Sequence, residues 1–386
     1  MAIELSSLTF TNQADVVPAS GVEEILNTGI ANTLAGNDRI TGDTTNSISG
    51  IYNSGTLNTD NGNDIITGIS TTAPTLSDPI IGRGINNETG IIETGEGNDI
   101  IAGVGRRGGI ISIFGTIDTG DDNDTITGVS TTGIVGQRSG GIIISDSTLN
   151  TGNGNDVIIG TLENLTGWGI ANFQSIFNTG DGNDIIIGDS TLSTNSGVGI
   201  SNTGSMDTGD GNDTITGLSE TTVGIGNGGL NGGVINTGDG NDSIIGRAGF
   251  FIGVGIDNRD TINTGNGNDT ITGIGFIGIK NLGIINTGNG EDSIIADGGF
   301  DGTGSVFLGN NKDYIKGFGS GNFNGGNGQD ILELTSGSYT VGISSAGVNF
   351  TKNSIIMNTS EFEKLQAGST TYNFSSLTNG QTIFVA

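Results

Sequence analysis

A short block joining a glycine-rich turn to an alternating apolar stretch returns again and again along this 386-residue chain, and no other feature limits its fold so tightly. It reads NTDNGNDIITG at 58–68, ETGEGNDIIAG at 93–103, DTGDDNDTITG at 118–128 and NTGNGNDVIIG at 150–160. It continues as NTGDGNDIIIG at 178–188, DTGDGNDTITG at 207–217, NTGDGNDSIIG at 236–246, NTGNGNDTITG at 263–273 and NTGNGEDSIIA at 286–296. Partial copies stand at 34–42, 309–317 and 325–333. The repeated aspartates are Asp38, Asp64, Asp99, Asp124, Asp156, Asp184, Asp213, Asp242, Asp269, Asp292, Asp313 and Asp330, separated by 17 to 35 residues. A second element, Gly-Ile-x-Asn, travels with the first, and in six of its eight copies the Asn lies 11 or 12 residues before the repeat Asp. Length variation therefore falls mainly between the end of one Asp-x-Ile strand and the next Gly-Ile-x-Asn, as in STTAPTLSDPIIGR at 70–83.

Gly-x-Gly-Asn-Asp supplies residues that tolerate a left-handed backbone. The stretch after it alternates, so Ile66, Ile101, Ile126, Ile158, Ile186, Ile215, Ile244 and Ile271 point to one side. Three short strands per coil, with one corner recurring, predict an all-β fold: a right-handed parallel β-solenoid of about 12 coils in which each coil hydrogen-bonds to the next. At roughly 4.8 Å per coil the rod is about 58 Å long. The repeat divides the chain into an N-terminal cap over 1–33, the solenoid over 34–333, and a short β-rich C-terminal cap over 334–386.

Composition narrows the chemistry. With no Cys and no His, the chain has no disulfide framework, no zinc or haem site of the usual kind, and neither a Cys nor a Ser–His nucleophile. Twelve Lys+Arg against 41 Asp+Glu give a net charge of −29, and sparse cations argue against nucleic acid or an anionic membrane as partner. No run approaches the 18 or so apolar residues of a membrane span. The N-terminus has Glu4 inside its only apolar stretch and no basic region, so it does not read as a cleavable signal peptide.

At each corner a carboxylate sits beside glycine carbonyls, and stacking brings successive corners close together. Unpaired carboxylates in such a column repel one another. A hard divalent cation that takes six to eight oxygens relieves the repulsion, and flexible carbonyl-bearing loops suit Ca²⁺ better than Mg²⁺. The same residues also suit a metal-free ladder of turn side chains with merely solvated aspartates. For Gly-Ile-x-Asn the expectation is a stacked structural asparagine.

These blocks resemble the RTX (repeats-in-toxin, haemolysin-type) calcium-binding nonapeptide, G-G-x-G-x-D-x-U-x with U a large apolar residue. Residues 325–333 meet that pattern at every position, and the other copies resemble it with Thr at the first Gly, as in Thr151 to Ile159. The resemblance covers about 34–333. It implies carboxylate ligands from Asp64, Asp99, Asp124, Asp156, Asp184, Asp213, Asp242, Asp269, Asp292 and Asp330. It implies carbonyl ligands from the loop glycines: Gly152 and Gly154, Gly180 and Gly182, Gly209 and Gly211, Gly238 and Gly240, Gly265 and Gly267, Gly326 and Gly328. Family members usually wind two nonapeptides per coil, whereas most coils here carry the motif once, so a single ion column is implied. Lys312 puts a positive charge beside Asp313, which implies a weak or empty site there.

The C-terminal segment holds Phe350, Phe362, Phe374, Phe384, Tyr339 and Tyr372 in short alternating runs, as expected of a cap over the last coil. It is also similar to the C-terminal signal read by type I secretion machinery in that family. Export would place the protein outside the cell or on its surface, where calcium binding supplies folding free energy.

Flanking the core isoleucines, Val157, Ile159, Ile185 and Ile187 form an outward aliphatic patch that suggests lateral self-association. A Thr-x-Thr array of the ice-binding kind occurs only at Thr125/Thr127, Thr214/Thr216 and Thr270/Thr272, on coils that are not neighbours. Parallel β-helices also host polysaccharide lyases and epimerases. The only charged candidates for such a site, Arg83, Arg106 and Arg107 with Glu88 or Glu93, are expected to scatter over variable loops. The expectation is therefore a structural or interaction protein of the bacterial surface or extracellular matrix rather than an enzyme, with self-association or surface polysaccharide as its contacts; an adhesin, an ice-binding module or a carbohydrate-active enzyme are the alternatives.

Overall fold

In the computed structural model, which describes residues 2–18, 23–73, 81–132, 139–163, 166–229 and 232–386, the chain is a parallel β-solenoid of three sheets. From Ile25–Asn27 to Tyr314–Lys316 each coil runs through the same sequence of sheets. A strand of the Gly-Ile-x-Asn type, such as Ser196–Asn202, is followed by a three-residue strand, Ser205–Asp207. The Gly-x-Gly-Asn-Asp turn then leads into an Asp-x-Ile strand, Thr214–Ser219, before the chain returns to the first sheet at Val223–Asn227. We call these the first, second and third sheets, of 12, 16 and 15 strands.

Register keeps like above like. Ile186 lies over Ile215 and Ile215 over Ile244 in the third sheet, Ile200 over Ile225 and Ile256 in the first, and Phe177, Met206 and Ile235 stack in the second. These three columns fill the bore, and the eight isoleucines expected inside, from Ile66 to Ile271, are all fully buried. The alternation seen in the sequence is thus the inward and outward pointing of side chains along each strand.

Two tight approaches account for much of the glycine. Where the first and third sheets converge, a Cβ on Gly217 would lie 2.2 Å from the Gly224 carbonyl oxygen, so only glycine lets the two backbones meet. At the turn, Gly182 has φ +150, and a Cβ there would fall 1.5 Å from the carbonyl oxygen of Gly154 in the preceding coil.

The solenoid exceeds the 34–333 span at both ends. Val16–Val17, Ile25–Asn27 and Ile30–Asn32 already pair in parallel with the strands that follow them in the three sheets. At the other end, Ile355–Ser360 and Lys364–Ala367 pair in parallel with Gly321–Asn324 and Ile331–Leu334. Antiparallel strands then close the rod: Gly337–Ser344 pairs with Gly347–Lys352 and Thr382–Val385, and Lys364–Ala367 with Thr370–Asn373. Phe350, Phe362, Phe374 and Tyr339 are buried beneath this cap, whereas Phe384 is 71% exposed. Among the described residues no helix is long and apolar enough to cross a membrane.

Candidate metal centre: the corner aspartates

The turn between the second and third sheets delivers each repeat aspartate to the first position before an Asp-x-Ile strand. All twelve, Asp38 to Asp330, are buried to 2% exposure or less. They form one column. Oδ1 of each accepts the backbone N–H of the aspartate one coil earlier: Asp184 N to Asp213 Oδ1 is 2.8 Å, Asp213 N to Asp242 Oδ1 2.9 Å and Asp313 N to Asp330 Oδ1 2.9 Å. The column has terminal rungs absent from the sequence reading. Asp15 N donates to Asp38 Oδ1 at 2.7 Å, and Asp330 N donates to Oε2 of Glu363 at 2.8 Å.

The second carboxyl oxygen is different. In every repeat aspartate except Asp242, Oδ2 is buried and has no hydrogen-bond partner. A threonine five residues earlier, Thr59, Thr94, Thr119 and so on to Thr287, is buried beside it. In one coil the hydroxyl closes the contact, Thr237 Oγ1 donating to Asp242 Oδ2 at 2.6 Å. Elsewhere hydroxyls turn toward the next coil's threonine carbonyl, as Thr94 does to Thr119 O at 3.1 Å, or stay unpartnered, as at Thr119, Thr179 and Thr208. The last two rungs lack the hydroxyl, because Leu308 and Gly325 occupy that position.

Burial and repulsion act together on these groups. Burial raises the Asp124 carboxyl to about 8, against relief from the facing Thr119 and the Asp99 amide, with the Asp99 and Asp156 charges raising it further. Asp64, Asp184, Asp213 and Asp313 are pushed up to about 7, and Asp99, Asp156, Asp242, Asp292 and Asp330 to about 6, burial being the largest cause in each. Asp38 and Asp269 are raised for the same reason. The aspartates are therefore not solvated turn residues.

Outside the column, neighbouring turn residues form exposed ladders. Nδ2 of Asn183, Asn212 and Asn241 donates to Oδ1 of Asn155, Asn183 and Asn212 at 2.8, 2.8 and 2.9 Å. In a half-buried ladder beside these, Nδ2 of Asn236 and Asn263 donates to Oδ1 of Asp207 and Asn236 at 2.9 and 2.8 Å.

An oxygen-only site with orphaned, buried carboxyl oxygens fits a hard cation. Two adjacent coils offer two Oδ2 atoms and two threonine hydroxyls, and the remaining oxygens of a calcium shell would come from turn carbonyls or water. The glycines named by the resemblance pack first and foremost. The carbonyl oxygens of Gly152, Gly180, Gly209 and Gly238 lie against Gly180, Gly209, Gly238 and Gly265 one coil on, and those of Gly154, Gly182, Gly211 and Gly240 against Gly182, Gly211, Gly240 and Gly267. In the last coil Gly326 lies against the Gly309 carbonyl and Gly328 against that of Asn311. Among the described residues no three acidic side chains converge on a point, so any ion would be shared along a column rather than enclosed by a cluster. Asp313 occupies its rung like the others despite Lys312.

Other sequence candidates fall as follows. Seven of the eight Gly-Ile-x-Asn asparagines form the expected structural ladder, for example Asn202 Nδ2 to Asn227 Oδ1 at 2.9 Å, fully buried, whereas Asn32 of the first copy lies exposed in the second sheet and accepts from Leu34 N. Val157 pairs with Ile185 and Ile159 with Ile187 on the outer face of the third sheet. Arg83 and Arg107 do not scatter: they lie on adjacent coils beside one cavity, while Glu93 lies at the aspartate corner. Arg106 is separate, its Nε donating to Thr132 Oγ1 at 3.2 Å. No protein-family model matches the chain, and no curated protein shows significant similarity to it.

Proposed function

We propose that this chain is a secreted calcium-binding rod with a structural or interaction role at the bacterial surface or in the extracellular matrix, folding when calcium meets it after export. The observation that carries the reading is the unbroken column of buried aspartates whose Oδ2 atoms, that of Asp242 excepted, lack partners. Calcium, when bound, supplies the positive charge that the column lacks. The aspartates hold the turn in register through Oδ1 and present Oδ2, and the threonine hydroxyls and tightly stacked glycines fix the spacing of those oxygens.

The RTX resemblance supports calcium as the ion and type I secretion as the route. Extracellular calcium modules bind at about 10⁻⁴ to 10⁻³ M, so a calcium-poor cytosol would leave the carboxylates ionised, mutually repelling and the chain threadable. The outward patch at Val157, Ile159, Ile185 and Ile187 supports lateral self-association as one form of the structural role.

Circular dichroism in chelator and then in millimolar calcium tests the reading. Strand content should be low at pH 7.5 in chelator and rise with calcium; strand content complete in chelator and unchanged by calcium would remove calcium from the function.

A further inference from the structure

The outer face of the second sheet changes its chemistry toward the C-terminal end of the rod. One outward column carries Asn, Asp or Glu at every rung from Asn58 to Asn286, and the next rung is Phe307. The other outward column holds Thr, Ser, Ile or Val from Thr56 to Ser305, then turns to Asn322, Asn358 and Asn349 on three neighbouring strands. Phe307 interrupts a ladder in which Asn286 Nδ2 donates to Asn263 Oδ1 at 2.8 Å, and it is 42% exposed. An aromatic ring that breaks an amide ladder and stands in water costs stability on both counts. Regular scaffolds depart from their own pattern at functional sites.

These residues lie on a groove of about 390 Å³, within the roughly 300–1,000 Å³ of small-molecule sites. The hairpin turn joining Gly337–Ser344 to Gly347–Lys352 supplies Ser344, Ala346 and Gly347 to its lining. Phe307 lines it with Asn322, Asn324, Asn349 and Asn358, and none of the described residues around it carries a charge, in a chain of net charge −29. Asn358 Nδ2 donates to Asn322 Oδ1 at 3.2 Å, and Asn324 Nδ2 to Ser360 Oγ at 3.1 Å. Each bond uses one of an amide's two N–H donors, so the second remains for a ligand.

That lining selects among ligand classes. Without a cation it leaves the desolvation of a phosphate or carboxylate uncompensated. The strands Ser305–Phe307, Gly321–Asn324 and Ile355–Ser360 are each paired on both sides, so no edge is open to an extended peptide. A neutral sugar fits, because hydroxyls that both donate and accept match amides that do the same, and the C–H face of a pyranose ring packs on an aromatic ring. We propose that this groove binds a neutral hexose unit of a polysaccharide, its hydroxyls held by Asn322, Asn349 and Asn358 and its ring packed on Phe307. The site contains none of the corner aspartates, so it stands apart from the calcium reading.

The full chain, its strand content first verified by circular dichroism, is titrated with the methyl glycosides of glucose, galactose, mannose and N-acetylglucosamine and followed by saturation-transfer NMR. Sodium glucuronate is the charged counter-probe. At least one glycoside should give a saturable signal at a Kd on the order of 1–10 mM, with glucuronate about fivefold weaker or more. Phe307→Asn restores the residue type of the preceding rungs, so the fold should persist while the best glycoside binds about tenfold more weakly. Asn349→Ala should weaken it about threefold, and Phe276→Asn, at an exposed phenylalanine outside the groove, should leave it unchanged. No saturable signal from any of the four glycosides, glucuronate binding as well as the best of them, or wild-type affinity in Phe307→Asn would each overturn the proposal. The first two outcomes are read on the native chain, so they decide the matter even if a variant fails to fold.

Discussion

At the corner between the first and second sheets, Asn172, Asn202, Asn227 and Asn258 pass hydrogen bonds along the rod. Each Nδ2 donates to Oδ1 of the asparagine one coil on, and again to a backbone carbonyl: Asn202 reaches Asn227 Oδ1 at 2.9 Å and Val234 O at 2.8 Å. At the corner between the second and third sheets, Asp184, Asp213 and Asp269 use Oδ1 in the same repetitive way, yet their Oδ2 atoms end without partners. Both columns are buried, and both step by one coil. The difference is one atom. An amide carries a donor and an acceptor, so within the stack each amide satisfies the next and only the first rung's Asn172 Oδ1 is left over, whereas a carboxylate carries only acceptors and its stack needs a proton or a cation from outside.

The largest expected effect breaks this contrast along the whole column. Because burial raises the folded-state carboxyls to about 6–8 while an unfolded aspartate ionises near 3.9, their contribution to the metal-free rod is intact below about pH 4 and lost as pH climbs through 6–8. In chelator, unfolding midpoints should fall steeply between pH 4 and 8. In millimolar calcium the slope should reverse, since the cation competes with protons for ionised carboxylates. Parallel slopes in the two conditions would mean that no cation replaces the protons.

Next in size is the exchange of one column's chemistry into the other. Asn202→Asp puts a carboxylate where both Nδ2 contacts are lost and Asn227 Oδ1 and Val234 O face it. A loss of about 3–5 kcal/mol is expected at pH 7, easing in acid as the new group protonates, read from denaturant midpoints.

The converse exchanges are smaller. Asp213→Ala removes the acceptor for Asp184 N–H and should lose about 1–3 kcal/mol in calcium. Asp213→Asn keeps an acceptor and removes a charge, so in chelator at pH 7.5 it should raise stability by about 1 kcal/mol while weakening calcium binding. An Asn variant as damaging in chelator as the Ala variant would show that the charge is not the burden at this corner.

Smallest in stability is the outer face. Ile185→Asp with Ile187→Asp alters residues that pair with Val157 and Ile159 on the solvent side, so unfolding should shift by no more than about 1 kcal/mol. Light scattering should show a lower oligomer mass if this face joins rods; an unchanged mass would release the patch from that role.

The period, the three strands per coil, the inward isoleucines and the asparagine ladder were legible because each follows from alternation or from spacing within one repeat. The aspartate corner was legible in position but not in orientation. The same NTGxGND spacing suits a solvated carboxylate or a buried one, and only the stacking of neighbouring coils sets its exposure. Threonine five residues before ten of the twelve aspartates was visible in the repeat, yet its place beside Oδ2 depends on turn geometry. Asp15 and Glu363 lie in segments without the motif, so nothing in their own sequence marks them as rungs. Arg83 and Arg107 are one coil apart in the chain and looked like loop residues; parallel register made them neighbours. Parts of the variable segments, 74–80 and 133–138, lie outside the described residues.

By itself the sequence determined which residues face inward and how often the chain returns to the same corner, because both are fixed by periodicity along a strand and a turn. The tertiary structure decided what each corner residue experiences: which atom lies one coil above, how much water remains, and whether a carboxyl oxygen finds a donor. Those properties belong to pairs of coils 17 to 35 residues apart, and they exist only once the coils have stacked.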